Sequence, residues 1–165
     1  MKLLDKALVE FERLGDSYLV EVTRANRDAL EFQHGSPDPD AARRAADRFR
    51  ESIARARAVN DVGDLIAGME MLGYALIAAG EHTESRSVLL EAASIIKTSQ
   101  AGRHNLSVVA TLLAQTEAEI GSHERALVLI GSVRASAAEI PVWPEELEAL
   151  DTLEAACRDA VDEET

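Results

Sequence analysis

The fold is decided by residues 72–92, LGYALIAAGEHTESRSVLLEA, because their pattern returns 41 residues later in residues 113–133, LAQTEAEIGSHERALVLIGSV. The corresponding pairs are Leu72 and Leu113, Gly73 and Ala114, Gly80 and Gly121, Ser85 and Ala126, Leu89 and Ile130, and Ala92 and Val133. A fainter copy lies 40 residues before the first, at Ala45, Phe49 and Ser52. A fixed period of this length predicts a stack of similar helix pairs, each burying its apolar side against its neighbours.

Apolar residues at steps of three and four predict helices along most of the chain. The predicted helices cover residues 2–14, 16–34, 39–58, 62–79, 82–98, 104–120, 122–139 and 144 onward. Asp38 before Pro39 is a strong helix start, and Ser122 is expected to cap the seventh helix. Gly131 lies inside that helix, where glycine costs about 1 kcal/mol relative to alanine. We therefore expect a close helix crossing at Gly131.

The eighth predicted helix differs from the others because its apolar stripe is narrow. The stripe consists of Leu147, Leu150, Leu153, Cys157 and Val161, and charged residues occupy the opposite side. Such a helix can cover the exposed end of a stack. We therefore divide one structural domain into a helix-pair stack, residues 1–143, and a capping helix, residues 144–165. Trp143, between two prolines, is expected to plug the space under this helix, with an exposed anchor as the alternative.

The composition indicates an acidic helical protein. Its 165 residues carry a net charge of −13, and only 4% of them are aromatic. The single cysteine, Cys157, excludes an internal disulfide and is expected to be a buried thiol, which suits a reducing compartment. No apolar run approaches the length of a membrane span, and residues 1–6 lack the pattern of a signal peptide. These features predict a cytoplasmic protein with no membrane partner.

Direct binding of nucleic acid is not expected. An acidic surface repels phosphate, so DNA or RNA would need a local basic patch. The most basic stretch lies in the third predicted helix, at Arg43, Arg44, Arg48, Arg50, Arg55 and Arg57. Because Asp47 and Glu51 alternate with these arginines, we interpret the stretch as a solvated helix face stabilised by charge pairs along the helix.

The sequence contains no motif that predicts catalysis, a cofactor or a metal ion. Phosphate-binding loops, nucleophile elbows and zinc-protease motifs are missing from it. Its histidines are His34, His82, His104 and His123. His82 and His123 share one repeat position, and neighbouring layers lie too far apart for both to bind one ion. Acidic pairs such as Glu117 and Glu119 are interpreted as chance neighbours among 30 acidic residues. We therefore expect a protein that is not an enzyme.

The repeat resembles the tetratricopeptide repeat. The resemblance rests on Leu72-Gly73, Gly80, Ser85, Leu89 and Ala92 and on their counterparts 41 residues later. This sequence departs from the family in its period, which is about 34 residues in tetratricopeptide repeats. It also has Leu76 where the family has tyrosine, and no proline closes each unit. The resemblance implies an all-α, right-handed α-α superhelix of about three to four antiparallel helix pairs with the C-terminal capping helix.

Longer and looser repeats of this kind look like the C-terminal helical region of large ATP-dependent bacterial transcriptional regulators, the MalT-like group. Two stretches carry this similarity: Ala7-Leu8 to Gly15-Asp16, and Ala126 to Gly131 followed by Pro141 to Pro144 and an acidic helix. The resemblance implies a part of a regulator that itself neither binds ATP nor reads DNA. The first helix is expected to be the second member of a pair, either as a cap or within the tail of a longer protein.

In tetratricopeptide-like stacks the first helix of each pair lines a concave groove. The resemblance therefore implies that this groove shows Ala67, Glu70, Tyr74 and Ile77 of the fourth helix and Val108, Thr111, Gln115 and Ala118 of the sixth. Among them, Glu70, Tyr74, Ile77, Thr111 and Gln115 are the expected contacts of a partner. Tyr74 could instead pack against the neighbouring layer. The expected function is a non-catalytic sensor module that binds a peptide or a protein in this groove. A small-molecule effector in the same groove and a homodimer through the first helix are the alternatives.

Overall fold

The computed structural model describes residues 2–34, 38–99, 101, 105–137 and 144–163. In this part of the chain there are eight α-helices and no strand: α1 Lys2–Leu14, α2 Ser17–His34, α3 Pro39–Val59, α4 Val62–Ala78, α5 His82–Ser99, α6 Leu106–Glu119, α7 His123–Ser136 and α8 Pro144–Glu163. The all-α prediction is therefore confirmed. Helix α6 begins two residues later than predicted, and α7 ends three residues earlier. The predictions about His104 and Trp143 lie outside the described residues.

Four connections share one left-handed turn at the end of a helix. Gly15, Gly80 and Gly121 have φ angles of 70°, 75° and 79°, and Asn60 has a φ of 55°. After the two corresponding glycines, the next amide reaches back to the last helical turn: Glu81 N donates to Leu76 O at 2.8 Å and Ser122 N to Glu117 O at 2.7 Å. Glycine favours this conformation because it has no Cβ to clash. The same turn therefore reverses the chain after α4 and after α6.

Aspartates, rather than serine, cap the helix starts that the sequence marks. Asp16 Oδ1 accepts from Leu19 N at 3.0 Å, Asp38 Oδ1 accepts from Asp40 N at 3.2 Å, and Asp61 Oδ1 accepts from Asp64 N at 3.0 Å. The predicted Asp38 cap is confirmed. Ser122 directly precedes α7, as predicted, but its hydroxyl accepts no hydrogen bond from a backbone amide of the helix. The predicted side-chain cap is therefore wrong. The ψ of Ser122, 56°, departs from the extended backbone that side-chain capping requires.

The helices pack in chain order, and the even-numbered ones also pack against each other. Each helix from α1 to α8 contacts the next one. In addition, α2 contacts α4, α4 contacts α6, and α6 contacts α8. All residues of α3, α5 and α7 are described, and no two of these helices pack on each other to the extent that the even helices do. Direct contacts therefore run from α2 through α4 and α6 to α8.

The repeat positions predicted from the sequence are core positions. Leu72 and Leu113, Ser85 and Ala126, Leu89 and Ile130, and Ala92 and Val133 are all buried, with at most 4% exposure. The main core cluster extends from α3 to α6, and a smaller one joins α6, α7 and α8 through Ala114, Ile130, Val133 and Leu150. Cys157 is buried in α8, as predicted. The corresponding residues are thus buried in both helix pairs.

Glycines at two positions allow helices to pack closely, and a third glycine does not. A Cβ on Gly73 would lie 2.7 Å from Leu89 Cδ2, and one on Gly68 would lie 3.0 Å from Ile53 Cγ1. A Cβ on Gly131 would meet nothing within 4 Å, because Gly131 is on the exposed side of α7. The expected close crossing at Gly131 is therefore wrong. The crossing occurs at Gly73, between α4 and α5.

We expect opposite effects from the same substitution at these two helical glycines. Gly131→Ala should raise the free energy of unfolding by about 0.5–1 kcal/mol through helix propensity. Gly73→Ala should lower it by about 1–2 kcal/mol, because the fully buried Leu89 cannot move aside without strain. Adding Leu89→Ile, which recreates the Ala114 and Ile130 pair of the next repeat, should recover part of the loss. Urea denaturation of the variants measures these differences, and equal effects at both glycines would contradict the assignment.

Membrane insertion is a separate question. None of the helices in the described part of the chain combines the length and the apolar character that a bilayer span requires.

Candidate interaction surface

One side of α4 carries four of the residues that the sequence analysis places in the groove. Ala67, Glu70, Tyr74 and Ile77 follow each other at steps of three and four residues, so they share one side of the helix. Ala67 is exposed, Tyr74 and Ile77 are half-buried, and Glu70 is nearly buried, with 9% exposure. Tyr74 and Ile77 also pack against the main core cluster. Both roles considered for Tyr74 are thus compatible with its position, since part of it remains accessible.

The corresponding side of α6 carries the remaining predicted residues. Val108, Thr111, Gln115 and Ala118 have the same spacing, and all four are half-buried. The hydroxyl oxygen of Thr111 is buried and has no hydrogen-bond partner among the described residues. Direct packing of α4 on α6 brings the two sides together, and Asn105 Nδ2 donates to Glu70 Oε2 across this contact at 2.5 Å. We name these eight residues the α4–α6 face.

A half-buried ion pair between α5 and α6 was missed by the sequence interpretation. Arg86 Nε of α5 donates to Glu117 Oε1 of α6 at 2.6 Å. The Glu117 side chain is only 5% exposed, whereas that of Arg86 is 36% exposed. Glu117 corresponds in the repeat to Leu76, which is fully buried. That correspondence was the available signal, because an acidic residue at a core position needs a cationic partner.

Small polar groups join α5 to α6 next to this pair. The hydroxyls of Ser85 and Thr116 lie 3.1 Å apart, and Thr116 Oγ1 also donates to Leu112 O at 2.8 Å. Ser85 and Thr116 are fully buried. Because buried hydroxyls without partners are costly, these bonds specify how α5 sits against α6. They hold α6, which carries half of the α4–α6 face, in place against α5.

The two histidines at one repeat position begin helices. His82 is the first residue of α5, and His123 is the first residue of α7, as the sequence indicated. In both, Nδ1 is buried and lacks a hydrogen-bond partner within the described residues, and His82 Nε2 lies 4.0 Å from Glu119 Oε2. No group of three or more metal-binding side chains occurs in the described ranges. Both histidines therefore lie at helix starts.

The arginine-rich stretch of α3 connects two odd helices. Arg43 Nε donates to Glu81 Oε1 at 3.1 Å, and the guanidinium of Arg50 binds both oxygens of Glu84 at 2.9 Å. Farther along, Arg57 Nη2 donates to Glu91 Oε1 at 2.6 Å. Arg50 and Arg57 thus reach α5, and Arg43 reaches the residue just before it, which the interpretation as a solvated face with pairs along the helix did not anticipate. Long side chains of α3 therefore connect it to α5.

The pKa values follow these pairings. Burial lowers the pKa of Arg50, but its hydrogen bond to Glu84 and the charge of that residue outweigh burial, so the net shift is upward. In α8, the hydrogen bond from Arg158 lowers the pKa of Glu154, and the charge of Arg134 adds to the effect. Burial raises the pKa of the Cys157 thiol. A buried thiol with a raised pKa is a poor nucleophile at neutral pH.

Comparison of the chain with protein-family models, with curated proteins and with solved structures gave no match. The tetratricopeptide-like and MalT-like resemblances therefore stay predictions from the sequence.

Proposed function

We propose that the chain is a non-catalytic interaction module that binds a peptide or a segment of a partner protein on the α4–α6 face. The observation that carries this proposal is the row of half-buried apolar and small polar side chains on two helices in direct contact. Such a surface offers apolar area together with hydrogen-bonding groups, which suits capture of a chain segment.

The proposed architecture behind this face is a right-handed stack of tetratricopeptide-like helix pairs, α2 with α3, α4 with α5 and α6 with α7. Helix α1 would be the second member of a further pair, and α8 would cap the end. Two observations support the proposal. The turns after α4 and α6 are the same, and α2, α4, α6 and α8 also pack directly on one another in turn. A stack whose even helices are closer together than its odd helices curves toward the even side, so the α4–α6 face would be concave.

In the proposed mechanism the groove is preformed, and the partner adapts to it. Tyr74 and Ile77 would supply apolar contact. The Thr111 hydroxyl, which has no protein partner in the described part of the chain, and the Gln115 amide would hydrogen-bond to the backbone of the bound segment. Binding would favour one curvature of the stack over others, which is how a passive module transmits a signal. We place this module in a cytoplasmic bacterial transcriptional regulator, on the resemblance to the MalT-like group.

The proposal is tested by selecting binding peptides from a random display library against the full chain and mapping one of them by NMR. Amide chemical-shift changes should concentrate on α4 and α6. Changes confined to α3, α5 and α7 would overturn the proposed site. Failure to select any peptide would count against peptide binding as the function.

We expect Tyr74→Ala to weaken binding of the selected peptide by about tenfold or more, as central aromatic contacts in interfaces do. Because Tyr74 also packs on the core, the same change should lower the free energy of unfolding by about 1–2 kcal/mol. Titration calorimetry at a temperature where the variant remains folded measures the affinity. Leu90→Ala, on the exposed side of α5, is the matched control and should bind like the unmodified chain. Equal losses in both variants would contradict the assignment of Tyr74.

A further inference from the structure

Helix α8 repeats the residue pattern of α6 at the same 41-residue interval that relates the two helix pairs. Its apolar stripe is Leu147, Leu150, Leu153, Cys157 and Val161, and the residues 41 positions earlier are Leu106, Val109, Leu112, Thr116 and Ile120. Val109 and Leu150 are both fully buried, and Thr116 and Cys157 are at most 1% exposed. Helix α8 packs on α6 and α7 as α6 packs on α4 and α5. By sequence, burial and contacts, α8 therefore corresponds to α6.

Two corresponding positions differ in chemistry, being apolar in the first case and charged in the second. Leu113 of α6 is buried in the main core cluster, and Ala93 of α5 packs against that cluster. The residues 41 positions later are Glu154 and Arg134. Arg134 Nη2 lies 2.9 Å from Glu154 Oε2 and also pairs with Asp151. Where α5 and α6 contribute apolar side chains to the core, α7 and α8 thus have an ion pair.

The ion pairs between α7 and α8 are open to solvent. The exposed fraction of the side chain is 40% for Arg134, 65% for Asp151 and 23% for Glu154. Arg158 also pairs with Glu154, at 2.7 Å, but it belongs to α8 and does not join that helix to α7. Exposed pairs contribute little to stability, and salt screens them. Charge therefore holds α8 only weakly.

The apolar part of the contact is also small. Among the described residues, α8 contributes one buried side chain, Leu150, to the smaller core cluster, and Leu153 packs against it. Helix α6, by comparison, contributes the buried Val109, Leu112 and Leu113 to the main cluster. Because apolar burial is the main source of stability, α8 has less to hold it than the helix to which it corresponds.

We propose that α8 is a releasable end helix, which detaches from α6 and α7 while the rest of the chain stays folded. Detachment uncovers the apolar end of the smaller core cluster, at Ala114, Ile130 and Val133. Regions with few buried apolar contacts open locally at a lower free energy than the whole domain. This conformational step is independent of binding on the α4–α6 face.

Cys157 is a direct probe of detachment, because it is the only cysteine of the chain and is 1% exposed. An aromatic disulfide reagent reacts with this thiol only when α8 detaches or the whole chain unfolds. The free energy of global unfolding, measured in urea, gives the labelling rate that global unfolding alone would produce. The full chain should be labelled at least about tenfold faster than that. Labelling at the rate of global unfolding would overturn the proposal.

Matched variants test whether the exposed ion pairs hold α8. Arg134→Ala removes both pairs to α8 and should raise the labelling rate by about two- to fivefold. Arg57→Ala removes a comparably exposed pair between α3 and α5 and should change the rate by less than about 1.5-fold. Sodium chloride at about 0.5 M should accelerate labelling of the unmodified chain more than that of Arg134→Ala. Equal rates for the two arginine variants would contradict the proposed role of the pairs.

A double variant tests the correspondence with α6. Arg134→Ala with Glu154→Leu introduces the residues found at Ala93 and Leu113. It should be labelled at least about threefold more slowly than the unmodified chain, because a leucine at position 154 adds apolar contact. Faster labelling than in Arg134→Ala alone would show that position 154 does not correspond to position 113.

Amide hydrogen exchange separates detachment of α8 from a local distortion at Cys157. The amides of α8 should exchange through the same opening as the thiol, whereas the slowest amides of α4 and α6 should exchange only through global unfolding. If the amides of α8 are protected as strongly as those of α4, the helix does not detach as a unit and the proposal is wrong.

Discussion

Leu89→Asp is expected to abolish cooperative folding. Leu89 is fully buried in the main core cluster, against Gly73 of α4. The change removes a large apolar side chain and leaves a charge without a partner, which together cost at least about 4 kcal/mol. A domain of this size has a total stability of about 5–15 kcal/mol, so most of it would be lost. Circular dichroism during heating should show a weak, broad transition or none.

The neighbouring residue provides the control. Leu90 is 45% exposed, so Leu90→Asp should change the free energy of unfolding by less than about 1 kcal/mol. The two variants have the same composition and the same net charge. A normal melting curve for Leu89→Asp, or equal losses of stability in both variants, would show that Leu89 is not a core residue. The alignment of the two repeats at Leu89 and Ile130 would then be wrong.

Arg86→Leu is expected to have the second-largest effect. The change leaves the Glu117 carboxylate buried without its cation, and removing one partner of a buried pair costs about 3–5 kcal/mol. Because Arg86 is itself 36% exposed, we expect a smaller loss in the free energy of unfolding, about 2–4 kcal/mol. Denaturation by urea at neutral pH measures the loss.

The double change Arg86→Leu with Glu117→Leu should restore stability to within about 1 kcal/mol of the unmodified chain. Leu76 occupies the corresponding position one repeat earlier and is fully buried there, so leucine fits that environment. Replacing a buried pair by apolar residues is often neutral or favourable. A double variant less stable than Arg86→Leu alone would show that position 117 does not correspond to position 76.

The helical architecture could be predicted from the sequence because it depends on local signals. Glycines at fixed spacing marked the turns after α4 and α6, and Asp38 before Pro39 marked the start of α3. Gly131 was misinterpreted because sequence alone does not say which side of a helix faces a neighbour. On the exposed side of α7, no packing contact offsets the low helix propensity of Gly131.

The choice of the face came from the tetratricopeptide resemblance, and helix periodicity adds that its residues share one side of each helix. That periodicity grouped Glu70 with Tyr74 and Thr111 with Gln115. It could not show that Asn105 would bind Glu70, since that contact depends on how far α6 is shifted along α4.

The most direct test of the account is an experimental structure of the chain bound to a selected peptide. We predict that one rotation and shift superposes α4 and α5 on α6 and α7, with Leu72 on Leu113, and that the peptide lies between Tyr74 and Gln115. A compact up-and-down bundle in which those two leucines are unrelated, or a peptide bound on α3, α5 and α7, would contradict it.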